Sequence, residues 1–176
     1  MNAFEPIQTE RLILRRPDAA DAAALFQLAS SVAVTKYVGW PRHSTPQDTH
    51  SFLDFSNSEW ARWPAGPLVI ESRAGTLLGT SGLSFETSYR ASTGYVLAQD
   101  AWGKGFAIET LRAVAALADQ LKVRRLYALC HVEHRASASV LGRGGFICEG
   151  ILRKFAVFPN LNVPDPQDVY CYARTR

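Results

Sequence analysis

Gly103 and Gly105 stand just before a long apolar-periodic segment, in Trp102-Gly103-Lys104-Gly105-Phe106-Ala107. Glycine lets the backbone approach a ligand closely. The first turn of a helix leaves amide N–H groups unpaired in a positive dipole potential. Together they suit a phosphate or a diphosphate. The same glycines also serve as plain turn residues, so this segment alone decides nothing. Two phosphate motifs are excluded by spacing. A P-loop needs Ser or Thr after its lysine, and Lys104 is followed by Gly105. A dinucleotide fingerprint needs a third glycine, and position 108 is Ile.

A second group with chemical potential is Cys130-His131-x-x-His134, with Ser137 about one helical turn further on. It lacks the paired Cys or His spacing of a zinc site, and Cys148 and Cys171 lie far off in sequence. No metal is expected.

These residues need elements to position them. Ile7 to Arg16 reads as one strand ending at Pro17, and Asp18 caps a helix from Ala19 to about Ser30. Val34 to Pro46 carries Gly39, Pro41 and Pro46 and reads as a loop holding Tyr37, Trp40 and His43. A second helix starts at Pro46 and contains Phe52, Leu53, Phe55 and Trp60. Leu68–Ser72 and Thr76–Phe85 form a hairpin, and Thr93–Ala98 another strand. The helix after Gly105 runs to about Leu121, with Ile108, Leu111, Val114, Ala115, Ala118 and Leu121 at helical spacing and Glu109 and Arg112 as an outward pair. Arg125–His131 is a strand and Glu133–Gly142 a short helix. Phe146–Phe158 and Val169–Ala173 are closing strands. This order predicts one mixed α/β (α+β) domain over residues 1–176.

Composition agrees. At roughly 150 residues per domain, a chain of 176 residues holds one. Hydrophobic residues at 47% and charged residues at 20% fit a globular protein and exclude a disordered one. Three cysteines give no disulfide framework. No run is long enough to span a membrane, the first residues lack a signal-peptide pattern, and the default address is the cytoplasm. A net charge of +3, without a basic cluster, gives no reason to expect nucleic acid.

The glycine turn resembles the acyl-CoA diphosphate loop of the GNAT superfamily, Q/R-x-x-G-x-G/A. Other segments resemble its Rim-type branch, which includes ribosomal-protein N-terminal acetyltransferases. They are Glu10-Arg11-Leu12-Ile13-Leu14-Arg15, Gly94-Tyr95-Val96-Leu97, the stretch from His134 to Phe146 against N-x-x-S-x-x-V-L-x-K/R-x-G-F, and Glu149-Gly150-Ile151-Leu152-Arg153. They cover nearly the whole chain in order. The resemblance implies a mostly antiparallel sheet, flanked by helices, whose fourth and fifth strands splay apart. It implies acetyl-CoA as donor and a primary amine as direct attacker. The acceptor is a protein N-terminus or a small amine, and the protein a monomer or homodimer.

Residue by residue, the resemblance assigns the diphosphate to Trp102, Gly103, Lys104, Gly105, Phe106 and Ala107. It assigns the pantetheine arm to strand groups near Val96 and Ala98 and to His134, and the thioester oxygen to an amide near Leu97. Ser137 assists the leaving thiolate, and Arg143 meets the phosphates. Candidates for the base are Glu86, His131 and His43. Tyr37, Trp40 and His43 are candidates for the acceptor pocket. Four positions depart from the family pattern. Trp102 stands for Gln or Arg, His134 for the pantetheine-binding Asn, Leu141 for the Tyr acid of many relatives, and Ser92 for a common Glu. These departures keep two alternatives open: a non-catalytic acyl-CoA sensor, and an interaction module that uses the glycine turn for another nucleotide.

Overall fold

The computed structural model describes residues 4–176. Its eight-stranded sheet has the order β1-β2-β3-β4-β5-β6-β8-β7. In chain order the strands are β1 Ile7–Gln8, β2 Leu12–Arg15, β3 Pro67–Ser72, β4 Leu77–Thr87, β5 Arg90–Leu97, β6 Arg125–His131, β7 Ile147–Ala156 and β8 Gln167–Thr175. The helices are α1 Ala22–Ser30, α2 Val32–Thr35, α3 Pro46–Arg62, α4 Phe106–Gln120 and α5 Arg135–Arg143.

Neighbouring strands run antiparallel, except β5 beside β6. That parallel ladder is short. It pairs Arg90–Ser92 with Arg125–Tyr127 and stops. Beyond it, β5 stays zipped to β4 as far as Leu97, and β6 to β8 as far as His131. The sheet therefore opens between β5 and β6, as the expected splay requires.

Alternation along β3 shows how both faces are covered. Leu68 and Ile70 enter the larger core with Leu111 and Val114 of α4. Val69, between them, enters a smaller core with Leu25 of α1 and Leu53 of α3. α4 thus seals one face, and α1 and α3 seal the other.

Local caps follow the sequence. Asp18 Oδ1 accepts the Ala20 N–H at 2.7 Å and opens a 3-10 turn into α1. At α3, the Asp48 carboxylate accepts the Ser44 and Thr45 N–H groups at 2.8 Å each. Those bonds pull its pKa down to about 2.

The structure corrects four readings. The strand expected over Ile7–Arg16 is a hairpin, with Ile7 facing Leu14. Its turn is closed by the Thr9 hydroxyl, which accepts the Leu12 N–H at 3.0 Å, with no glycine or proline to announce it. The loop over Val34–Pro46 begins inside α2, which Ser31 caps through Val34 N–H. β5 begins at Arg90 rather than Thr93, after a turn in which Arg90 N–H donates to Thr87 Oγ1. Glu109 does not pair outward with Arg112. It is bound by Arg11, at 2.6 Å.

Candidate active site

The glycine turn takes the conformation its composition allows. Gly103 has φ +73° and Gly105 φ +81°, the left-handed region that other residues enter only at a cost. Gly105 is the N-cap of α4, and no side chain caps this helix. Its first-turn amides are free to meet an anion.

Two contacts hold the turn. The Trp102 indole N–H donates to the Leu97 carbonyl at 2.8 Å, fastening the turn to the end of β5. Arg11 reaches in from the β1–β2 turn and donates from Nη1 to the Lys104 carbonyl at 2.8 Å. The Arg11 guanidinium also lies over the Phe106 ring at 4.7 Å. Glu109 fixes it in place, and accepts in addition from Thr9 Oγ1 and from Arg11 N–H.

The parted edge of β5 adjoins this turn. Ala98 N–H donates to Leu78 O at 2.8 Å, so it faces β4. By strand alternation Val96 faces β4 too, and the main-chain groups of Tyr95 and Leu97 turn toward the gap. The edge groups expected near Val96 and Ala98 are therefore those of Tyr95 and Leu97. Val96 and Leu97 both line the space beyond.

That space is a cavity of about 660 Å³, walled by β5, the glycine turn, the start of α4, β6, α5 and the residues around α2. Trp102, Gly103, Gly105, Phe106, Ala107, His134, Ser137, Arg143 and Tyr37 all line it. Its lining includes no Asp or Glu, while Lys36 and Arg143 contribute positive charge. The Lys104 side chain is exposed outside it. A second hollow of about 710 Å³ lies across Gly105 and shares Arg143, joined there by Arg11 and Arg112.

Ser137 is 9% exposed and sits beside Cys130 and beside Tyr95, whose hydroxyl the sequence reading left out. Tyr95 Oη donates to Ser137 Oγ at 3.4 Å. Burial raises the Tyr95 phenol above its ordinary pKa, so it stays a donor. Cys130 lines the same wall, and burial pushes its thiol up to about 11. It is therefore a neutral thiol at neutral pH. Strand alternation could have placed Tyr95 beside Leu97 on the cavity side. Leu141 is buried and offers no hydroxyl.

The base candidates separate. Glu86 lies outside the cavity wall, behind the last β5–β6 pair, where it accepts from the Tyr127 hydroxyl and pairs with Arg90 at 2.5 Å. His131 is 3% exposed, and its Nδ1 accepts the Glu133 N–H at 3.1 Å. Tyr37 lies against it at 5.1 Å, and Phe158 meets it edge-on at 4.9 Å. His43 is held by Thr49 Oγ1 at 2.9 Å and packs on Trp40. Burial lowers the His43 pKa, against the pull of Asp48. Neither His43 nor Trp40 reaches the cavity wall. Instead the Asn160 amide clamps their loop, donating to Thr35 O at 2.9 Å and Trp40 O at 3.0 Å. Of the three acceptor-pocket candidates, Tyr37 alone lines the cavity.

Among the described residues, no three His, Cys, Asp or Glu side chains gather as a metal cluster. Nor, among the described residues, is any helix long and apolar enough to cross a membrane.

Comparison with known proteins agrees with this geometry. The family model described as "Acetyltransferase (GNAT) domain" matches residues 11–147. An uncharacterized N-acetyltransferase of Bacillus licheniformis is 31% identical, over 86% of this chain and 88% of its own. Another, YoaA of Bacillus subtilis, is 29% identical over 98% and 99%. Among solved structures, the ribosomal-protein α-N-acetyltransferase RimL in complex with coenzyme A superposes with a TM-score of 0.86. It is 24% identical, with 97% of this chain and 98% of that chain covered. The family match over residues 11–147 and the 31% identity across most of both chains make this chain a member of the GNAT family of N-acetyltransferases.

Proposed function

We propose that the protein moves the acetyl group of acetyl-CoA onto a primary amine by direct attack, without an acyl-enzyme. One observation carries this reading: the uncapped start of α4 and the parted edge of β5 open onto the same cavity. A bound donor needs both, one for its diphosphate and the other for its extended amide-bearing arm.

In this reading the amides of Gly103 to Ala107 hold the diphosphate, and Arg143, between the two hollows, meets phosphate oxygens. The main-chain groups of Tyr95 and Leu97 pair with the arm, and the Leu97 amide polarises the thioester carbonyl. Ser137, supported by Tyr95, donates to the departing sulfur. Cys130 stays protonated, which favours direct attack over a thioester on the enzyme.

The cavity lining also bears on the acceptor. A polyamine needs carboxylates around its spare charges, and the described lining supplies none. Lys36 instead favours an amine that carries its own nearby anion. An α-amino end of an acidic peptide and an amino-acid-like metabolite both answer this description.

The test is thiol release from acetyl-CoA across peptide N-termini, amino acids and spermidine, with calorimetry of coenzyme A alongside. Turnover on the first two classes, exceeding that on spermidine, supports the reading. Binding of coenzyme A without turnover on any amine replaces it with an acyl-CoA sensor.

A further inference from the structure

We propose that the imidazole of His134 takes the proton from the acceptor ammonium. This rests on the acetyl-transfer reading above and assigns its missing base.

Four observations point to His134. It lines the cavity, whereas Glu86 and His131 do not. It stands three residues before Ser137, at the start of α5, and both line the cavity. It occupies the N-cap of that helix without making a side-chain cap bond, which leaves its ring nitrogens uncommitted to the helix end. Its ring stacks on Tyr37 at 4.8 Å and 25°, which orients it at the side of the cavity formed by α2.

The titratable and charged neighbours are Lys36 and Tyr37 beyond α2, His131 and Cys130 on β6, Tyr95 on β5, and Glu133 and Arg135 beside it in sequence. Burial, then the charges of His131 and Lys36, lowers the His134 pKa below its ordinary value. The ring is therefore neutral at neutral pH and able to accept a proton.

The step balances. Neutral His134 accepts one N–H proton of R–NH₃⁺, leaving R–NH₂. The amine lone pair forms the N–C bond to the acetyl carbonyl as the C–S bond breaks, and its electron pair goes to sulfur. The second amine proton passes to the thiolate by way of the Ser137 hydroxyl. His134 then returns its proton to water. The products are the N-acetyl amine, coenzyme A thiol and one proton.

The experiment compares pH–rate profiles of the parent, His134→Asn, Glu86→Gln and His131→Asn, using the best acceptor of the panel. The Asn variant keeps a hydrogen-bonding side chain while losing the basic nitrogen. Its expected kcat loss is roughly 100-fold, with the acidic limb of the profile gone. Coenzyme A affinity stays within about twofold, and added imidazole restores part of the rate in His134→Ala. Glu86→Gln and His131→Asn keep the parent profile. An unchanged profile in His134→Asn, loss of the limb in either other variant, or collapse of coenzyme A affinity in His134→Asn overturns the assignment. A parent enzyme that turns over no amine overturns the transfer reading itself, and this assignment with it.

Discussion

Arg11 and Glu109 lie 98 residues apart in sequence and meet through two guanidinium nitrogens, Nε at 2.7 Å and Nη2 at 2.6 Å from Oε2. The third, Nη1, holds the Lys104 carbonyl. The Lys104–Gly105 peptide is trans, so holding the Lys104 carbonyl also fixes the direction of the Gly105 N–H, which points the opposite way. Burial works to raise the Glu109 carboxyl, but the bonds from Thr9 and Arg11 outweigh it and the pKa falls below its ordinary value. The turn is braced from outside by an ionised pair.

Arg11→Ala is expected to raise KM for acetyl-CoA about tenfold, the effect of losing roughly 1.4 kcal/mol of charge-assisted hydrogen bonding. Glu109→Gln does the same more weakly, because Thr9 and Arg11 keep a neutral partner. In both, kcat stays within about twofold, since neither residue meets the reacting atoms. Steady-state kinetics with acetyl-CoA as the varied substrate checks this split. A fall in kcat at unchanged KM rejects the brace.

Gly103→Ala and Gly105→Ala separate backbone strain from crowding. A Cβ at Gly103 meets nothing within 4 Å, so its cost is conformational alone, roughly 1–2 kcal/mol at a positive φ. A Cβ at Gly105 also meets Arg11 Nη2 at 3.3 Å and disturbs the brace. Calorimetry should show coenzyme A binding weakened about tenfold in Gly103→Ala and further in Gly105→Ala. Equal, unchanged affinities would show that the turn does not set the amides.

The sequence announced some of this and hid the rest, for physical reasons. α4 was legible because its apolar period and the glycines before it are local signals. The cap at Asp18 and the proline opening α3 were legible for the same cause. The β1–β2 turn was not, because Thr9 closes it with a side-chain bond and no punctuating residue. Arg11 could not be placed from sequence, since its partners belong to a helix and a turn brought near only by the fold. Trp40 and His43 read as binding residues because aromatic loops often bind. Asn160, far along the chain, instead draws their loop onto the body of the protein.

Away from the cavity, Asp21 is 7% exposed and grips Arg15 with both oxygens, at 2.9 and 2.7 Å, while accepting Asp18 N–H at 2.9 Å. Arg15 turns its Nε to Glu71 at 2.7 Å, tying α1 to β3. Asp21→Ala leaves the half-buried Arg15 guanidinium with Glu71 as its remaining close partner and is expected to cost about 2 kcal/mol, lowering Tm by about 6 °C. Thermal unfolding measures it, and a change under about 2 °C would show the pair to be dispensable.

Acid should loosen the fold through two imidazoles. Burial lowers the pKa of both His43 and His134. Below the ordinary histidine value of about 6.5, the unfolded chain binds protons that the folded chain refuses. Their contribution is thus present above that value and fades as pH falls toward the folded pKa values. Denaturant midpoints between about pH 7 and pH 5.5 should decline, and the decline should be shallower in His134→Asn. An equal slope in parent and variant would mean that His134 titrates alike in both states.

Tyr95 and Ser137 give the sharpest test of the leaving-group side. The phenol donates to the serine oxygen, which frees the serine hydrogen for another acceptor. If Ser137 meets the sulfur, Ser137→Ala should lower kcat about tenfold and Tyr95→Phe about threefold, both losses of a hydrogen bond made as charge develops. Because Tyr95 acts through Ser137, the double variant should be no slower than Ser137→Ala, and the cycle should report coupling of about 0.5 kcal/mol or more. Multiplying losses would mean that the two hydroxyls reach the reacting atoms separately. An unchanged kcat and KM in Ser137→Ala would remove both from the chemistry, leaving the thiolate to be protonated from water.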